Sequence, residues 1–357
     1  MKESSLKLKD DFEFLNSLIE DEKKQSELYL PGPYWEHKVK ASTKQIKKYG
    51  IQKFRSSKNS IGDSYADNMP ADSRNAFHSG LTLLSILLTK LYPLSRLYEE
   101  QVNLTKRYAI ESLTYSQEIL ALKGRTKELI SKYKLPYTLL GNCNRKVKFK
   151  GEEHSVHYLD LLDRLDKISD LIDFKKTNSI LEIGGGFGGS LHLILENFKN
   201  IRKVIYLDIP PNLYVATQYL KAFYGDCVKD YVSTKDLSSL KFSLNRELEI
   251  FCIAPWQIEQ LDDSIDILMS QHCLLELPKK VVKNYVEVFE NFPNKNDTAV
   301  ALTSYGYIKL DRTFHPNEMP SFFGKRKFEN FQKDPLLPHP SRNKEMFYIY
   351  SGDFSNN

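Results

Sequence analysis

Cysteines are few, apolar runs are short and no charge of one sign accumulates; each shortage removes a class of protein. The four cysteines, Cys143, Cys227, Cys252 and Cys273, stand far apart, with no Cys-x-x-Cys pair and no histidine at metal-ligand spacing. That excludes a zinc framework or a disulfide scaffold and points to reduced thiols in a cytoplasmic protein. The opening segment MKESSLKLKDDFEFL lacks the uninterrupted apolar core of a secretion signal. The most apolar stretch, residues 81–88, is too short to span a bilayer and runs into Lys90. Lysine and arginine number 51 against 46 aspartates and glutamates, a surplus of +5 without a long basic run, so nothing demands nucleic acid as a partner. An apolar fraction of 41% over 357 residues describes a folded chain, long enough for about two domains.

The most informative segment is Ile180-Leu181-Glu182-Ile183-Gly184-Gly185-Gly186-Phe187-Gly188-Gly189-Ser190, followed by Val204-Ile205-Tyr206-Leu207-Asp208. It reads as a buried strand, a tight glycine turn and a second strand delivering a carboxylate to the same crevice, an arrangement that holds a nucleoside. Gly184, Gly186 and Gly189 fit the GxGxxG of dinucleotide binders. Glu182, Gly184, Gly186 and Gly188 equally fit the acidic-x-Gly-x-Gly-x-Gly of S-adenosylmethionine binders. Glu182 decides between them: a carboxylate is a poor neighbour for a pyrophosphate but a good one for a sulfonium and an ammonium. Asp208, twenty residues past Gly188 and beside Ile209, is placed to accept ribose hydroxyls, though an aspartate before Pro210-Pro211 also ends strands.

Two territories follow. Residues 1–150 carry a Pro31-Gly32-Pro33 turn and, over 71–135, apolar residues at three- and four-residue steps with a break at Pro93. They form a mainly helical N-terminal domain, either a cap that helps hold substrate or an oligomerisation arm. Residues 151–357 open with an amphipathic helix over 157–172 and continue with the glycine strand, a helix over 190–197, the Asp208 strand and a helix over 214–224. Further strands are expected at 248–253, 265–269, 298–304 and 346–350. Alternating strands and helices mean an α/β, doubly wound, mostly parallel sheet, with the last run as an antiparallel edge strand.

Ligands of such sheets bind beyond the carboxyl ends of the strands. Ala254, Pro255 and Trp256 stand where an adenine would lie, and Trp256 can wall it or fill core. Ser270 and Gln271 close the donor side after the fourth strand. His272 faces the acceptor side, and imidazole suits removal of a hydroxyl proton near neutral pH. Glu276 can orient it if the stretch begins a helix, since positions four apart share a face; a helix cap and a gap-filling histidine are the plainer alternatives. Tyr34, Trp35, Tyr305, Tyr307 and Arg312 are candidates for a sugar ring and an attached phosphate. Asp262 and Asp263 are adjacent acids in a loop, and no metal site is expected from them.

The turn LEIGGGFGGS, the strand end YLDIPPNLYVATQYL and the block DILMSQHCLLELPKKVVKNYVEVF together resemble the sugar O-methyltransferases of bacterial surface-glycan loci. The likeness extends to GPYWEHKVKASTKQIKKYGIQKFR and to LLGNCN, and so spans most of the chain. Cys273 and Leu277 replace the serine and methionine of that family's SHSLSEM, and Cys143 stands where it tends to have proline. His272 and Glu276 match by position. The resemblance implies a Rossmann-like class I methyltransferase sheet, S-adenosyl-L-methionine as donor, and a sugar, sugar nucleotide or glycan as acceptor in surface-glycan synthesis. An NAD(P)-dependent oxidoreductase, a nucleic-acid methyltransferase and a non-catalytic nucleotide-binding protein of the same fold remain alternatives. A homo-oligomer is left open.

Overall fold

The computed structural model describes residues 6–56, 124–143, 146–149, 151–305, 314–334, 336 and 344–352. Most of the helical repeat expected over 71–135, its break at Pro93, and Tyr307 and Arg312 lie outside the described residues.

An eight-stranded sheet organises the chain. Its strands are β3 (Ser179–Ile183), β4 (Lys203–Leu207), β5 (Val228–Lys229), β6 (Glu249–Ile253), β7 (Ile267–Gln271), β8 (Ala299–Tyr305), β9 (Glu329–Lys333) and β10 (Glu345–Tyr350), in the order β5-β6-β4-β3-β7-β8-β10-β9. All neighbours are parallel except β10, which runs antiparallel to both β8 and β9. The fold class expected from sequence is present: a doubly wound, mostly parallel Rossmann-like sheet with the reversed strand at one end. β9, which sequence analysis did not identify, lies outside β10. β3 and β4 are buried at every position, as strands covered on both faces must be, and this is why they read as continuous apolar runs.

Strand alternation sorts side chains onto two faces. Ile180, Val204, Tyr206, Met269, Ala301 and Phe347 belong to one core, and Leu181, Ile205, Leu268, Val300 and Tyr348 to the other. On the first face pack α4 (Val156–Ser169), α5 (Gly189–Asn197) and α6 (Pro210–Tyr224). α6 begins four residues before the expected helix, because Pro210 and Pro211 occupy its first turn, where no N–H is needed. On the other face α8 (Lys279–Phe289) buries Val281, Val282, Tyr285, Val286 and Phe289.

The N-terminal residues join the first core. α1 (Phe12–Glu22) is capped by Asp11, whose Oδ1 accepts from Phe14 N–H at 3.0 Å, and buries Phe14, Leu15 and Leu18. Tyr214 of α6 accepts from the Asp11 N–H at 2.9 Å, and its ring meets Phe14. α2 (Pro33–Tyr49) starts at the expected Pro-Gly-Pro turn. α3 (Arg125–Lys132) docks on α4 through Arg125 with Asp163 and Asp166. The hairpin of β1 (Lys146–Phe149) and β2 (Glu152–Ser155) leads straight into α4. Among the described residues no helix is long and apolar enough to cross a membrane.

Candidate active site

The chain runs outward from β3 to β4 and β6, then returns to β7 and β8 on the other side of β3. The switch point, where such sheets bind ligands, is therefore the carboxyl end of β3. The glycine turn sits there and opens α5. Gly184 adopts φ +74°, and a Cβ on it would lie 2.2 Å from Cys273 Sγ, so only glycine lets the turn close against the end of β7. A Cβ on Gly185 would lie 2.3 Å from Glu182 Oε2, which places that carboxylate directly beneath the turn.

Glu182 is fully buried, and neither of its oxygens has a hydrogen-bond partner among the described residues. Burial pushes its pKa up to about 8; Asp208 adds to the rise, and the Ser190 hydroxyl partly offsets it. With its pKa raised to about 8, this acid ionises readily only opposite a cationic group, whereas an anionic one would hold it protonated. The residues present therefore match a sulfonium or ammonium ligand better than a pyrophosphate.

Asp208 is buried and fully engaged. Its Oδ1 accepts from Ile209 N–H at 2.8 Å and Asn212 Nδ2 at 3.3 Å; its Oδ2 accepts from Gly186 N–H at 3.1 Å and Tyr206 O–H at 2.8 Å. Burial raises its pKa to about 6 against the lowering effect of these donors. In this state Asp208 ties the glycine turn to β4, and a ribose hydroxyl must displace or share one of its four donors. The Gly186 carbonyl lies within reach of the same Tyr206 hydroxyl, whose single proton is shared between it and Asp208. Sequence analysis missed this tyrosine, although its place two residues before Asp208 on one strand puts both on one face.

Ala254, Pro255 and Trp256 follow β6, whose end pairs with that of β4. Ala254 N–H donates to Gln257 Oε1 at 3.0 Å and so starts a 3₁₀ turn. Trp256 turns to the first core: its indole N–H donates to Tyr231 O–H at 3.2 Å, and Tyr231 donates to Asp21 of α1 at 3.0 Å.

β7 ends with Ser270, which donates to the Ile183 carbonyl at 3.1 Å, and Gln271, which donates to Ser190 Oγ at 2.8 Å. His272 then takes φ +62°, rare for a side-chain-bearing residue. This breaks the strand's alternation and puts the imidazole Nε2 at 2.8 Å from Glu345 Oε1. His272 is left-handed and residues 274–276 form one 3₁₀ turn, so the α-helical spacing that would set Glu276 on the face of His272 is not present. The carboxylate on the imidazole is that of Glu345, at the start of β10. Burial opposes its charge, but Arg164 and His272 outweigh that and hold its pKa far below the usual carboxylate range.

At the rim, Gly32 abuts Pro278, six residues past His272, and this brings the first turn of α2 to the loop after β7. Tyr34 and Trp35 stand edge-on there, ring centroids 5.7 Å apart, with Lys38 Nζ 4.0 Å and 4.9 Å from the two rings. Tyr305 ends β8, beside Glu345 in the register with β10. Asp263 spends both oxygens on the Phe242 and Ser264 backbone N–H groups, and Asp262 pairs with Lys241. Among the described residues no three His, Cys, Asp or Glu side chains gather to hold a metal ion.

No family model matches the chain, and no curated protein matches its sequence. Among solved structures it is similar to the N-methyltransferase NodS from Bradyrhizobium japonicum, in complex with S-adenosyl-L-homocysteine: 10% identity, 53% of this chain and 87% of that one, TM-score 0.36. It is similar to magnesium protoporphyrin IX methyltransferase from Synechocystis PCC 6803 (8%, 67% and 97%, 0.36) and to the mitomycin 7-O-methyltransferase MmcR (12%, 78% and 76%, 0.35). At TM-scores this low the fold assignment rests on the strand order itself.

Proposed function

We propose that this chain is an S-adenosylmethionine-dependent O-methyltransferase acting on a sugar hydroxyl, with residues 151–357 forming the donor-binding domain and residues 1–150 supplying a cap and acceptor contacts. The observation that carries the reading is the fully buried acid of Glu182 beneath the glycine turn, with no hydrogen bond formed to either oxygen and no cation beside it among the described residues. A dinucleotide-dependent oxidoreductase would bring a pyrophosphate to that carboxylate.

The donor, when bound, supplies an electrophilic methyl group on a cationic sulfur. Glu182 stabilises that positive charge, Gly184, Gly185, Gly186 and Gly188 give the ligand close backbone approach, and Asp208 with Ile209 fixes the turn and offers acceptors to the ribose. Ala254, Pro255 and Trp256 border the base-binding end, while Ser270 and Gln271 hold β7 against β3 and α5. His272 accepts the acceptor hydroxyl's proton as oxygen attacks, and positioning supplies much of the acceleration. The sugar acceptor rests on the resemblance in the glycine block, DIPP and the segment around His272. The edge-to-face pair Tyr34 and Trp35 at the rim, with Lys38 over both rings, supports it by offering aromatic edges and a cation to a polar acceptor. Tyr305, Tyr307 and Arg312 complete the proposed acceptor set.

The test is a pair of titrations followed by a transfer assay. S-adenosylhomocysteine should bind and NADH should not; radiolabelled methyl should then pass from S-adenosylmethionine into members of a sugar-nucleotide panel. Binding of NADH alone would establish the oxidoreductase, binding of neither a non-catalytic protein, and transfer into RNA or DNA a nucleic-acid enzyme.

A further inference from the structure

The glycine turn holds one large side chain, Phe187, and the function proposed above gives it no task. Its ring is buried and boxed by others: its centroid lies 5.0 Å from that of Tyr219, 5.5 Å from those of Phe54 and His157, and 6.2 Å from that of Tyr158. Arg55 closes the box, its guanidinium carbon 4.7 Å from the centre of the Phe187 ring. His157 and Tyr158 come from α4 and Tyr219 from α6, both packed on the sheet beside the turn. Phe54 and Arg55 come from the N-terminal region, just past α2.

These two residues are themselves held. Arg55 Nη1 donates to the carbonyls of Thr138 at 2.5 Å and Leu140 at 3.2 Å, and Nη2 donates to Ser155 Oγ at 2.6 Å. Ser155 is the N-cap of α4, and its own N–H donates to Thr138 Oγ1 at 2.9 Å. A Cβ on Gly141 would lie 2.3 Å from the Phe54 ring, so the segment 138–141 closes on that ring only through a glycine. Three stretches remote in sequence, 54–55, 138–141 and 155–158, thus converge on one ring in the turn.

The turn needs such a hold. Gly184, Gly186 and Gly188 sit at φ +74°, +64° and +83°, and glycine visits either sign of φ with little preference. Asp208 fixes the Gly186 N–H from the β4 side, and Phe187 gives packing a grip from the helix side. A ligand that binds a single form of the turn is weakened in proportion to the fraction of time that form is absent.

We propose that Phe54 and Arg55 are positioning residues for the methyl donor: through Phe187 they keep the glycine turn in its binding form, so the N-terminal region serves the donor side of the site and not the acceptor side alone. This rests on the reading of the turn as the donor site. Both residues act through Phe187, and neither is a catalytic residue.

Amide exchange and a titration on the full chain test it. Gly184 N–H donates to the Leu207 carbonyl at 2.8 Å, Gly186 N–H to Asp208 at 3.1 Å and Gly188 N–H to the Gly185 carbonyl at 3.2 Å. In the ligand-free wild type these amides should be protected, and S-adenosylhomocysteine should add little. Phe54→Leu should speed their exchange and weaken S-adenosylhomocysteine about tenfold, the change expected when the binding form falls to about a tenth. Phe289→Leu makes the same replacement in the core on the opposite face and controls for stability, measured by urea melts; it should bind within about twofold of wild type. Wild-type affinity in Phe54→Leu, or an equal weakening in Phe289→Leu, would overturn the proposal, and so would a turn protected only when ligand is added. Should Phe54→Leu fail to fold, Arg55→Lys, which keeps the cation but loses the fork that reaches Thr138, Leu140 and Ser155, is read in the same way, and the wild-type exchange decides by itself. A wild type that does not bind S-adenosylhomocysteine refutes the donor reading instead; faster exchange in Phe54→Leu would then leave the hold on the turn right and its ligand wrong.

Discussion

Replacing Glu182 by glutamine should change three measurable quantities together. A carboxyl group raised from 4.5 to about 8 by burial is about nine-tenths protonated at pH 7. A cationic donor that returns it to the ionised form must expel that proton, so binding at pH 7 should release roughly 0.9 proton. Affinity should then tighten roughly twentyfold between pH 6 and 7.5, as the competing proton leaves. Stability of the ligand-free protein moves the other way. The folded state keeps a proton that the unfolded chain has already lost, so stability falls as pH rises from 4.5 toward 8 and flattens above. Between pH 6 and 8.5 the loss is about 2.5 kcal/mol. Isothermal titration in phosphate and in Tris, whose ionisation enthalpies differ, counts the protons, and urea melts across the same range measure the stability. Glu182→Gln should flatten both profiles, raise stability at pH 8.5, and weaken donor binding tenfold or more. Proton release below about 0.2 in the wild type, or a variant with an unchanged stability profile, would refute the reasoning.

Three further perturbations have worked outcomes. Gly184→Ala drives a Cβ into Cys273 at a φ of +74° and should cost about 2–3 kcal/mol while abolishing donor binding, checked by chemical denaturation and titration with S-adenosylhomocysteine. Tyr206→Phe removes the O–H that reaches Asp208 at 2.8 Å; a loss of about 1–2 kcal/mol is expected from denaturant melts, with weaker donor binding as the turn loosens. His272→Asn keeps a residue that tolerates the left-handed backbone at φ +62° but loses the hydrogen bond to buried Glu345, so denaturant melts should show a loss of about 1–3 kcal/mol, while methyl transfer falls at least a hundredfold with donor affinity unchanged.

The parts of the site legible in sequence are those made by neighbours along the chain. Residues 180–190 state their strand, turn and helix locally, and Glu182 stands out because a charge interrupts an otherwise apolar run. Asp208 was visible for the same reason, but not its saturation by Tyr206, Asn212 and two backbone N–H groups, which depends on how the turn folds back. Glu345 could not be found this way. It lies 73 residues from His272, on a strand running against the others, and nothing local marks it as the partner of an imidazole. The four-residue spacing to Glu276 assumes a helix, whereas His272 is left-handed and residues 274–276 form a 3₁₀ turn. β9 escaped notice because Glu-Asn-Phe-Gln-Lys shows one apolar side chain; Phe331 earns the strand its place by stacking on Phe347, centroids 4.9 Å apart. α1 and α2 read as polar, since few of their residues are buried and docking onto the α6 surface does the rest.

That the imidazole's carboxylate comes from β10 bears on the order of assembly during translation. A ribosome releases residues 179–208, and with them the glycine turn, long before residue 345; at roughly ten residues per second the interval exceeds ten seconds. Even when β7 and His272 have followed, the carboxylate that faces the imidazole is still to come. The His272–Glu345 contact therefore forms only when the closing strand joins the sheet.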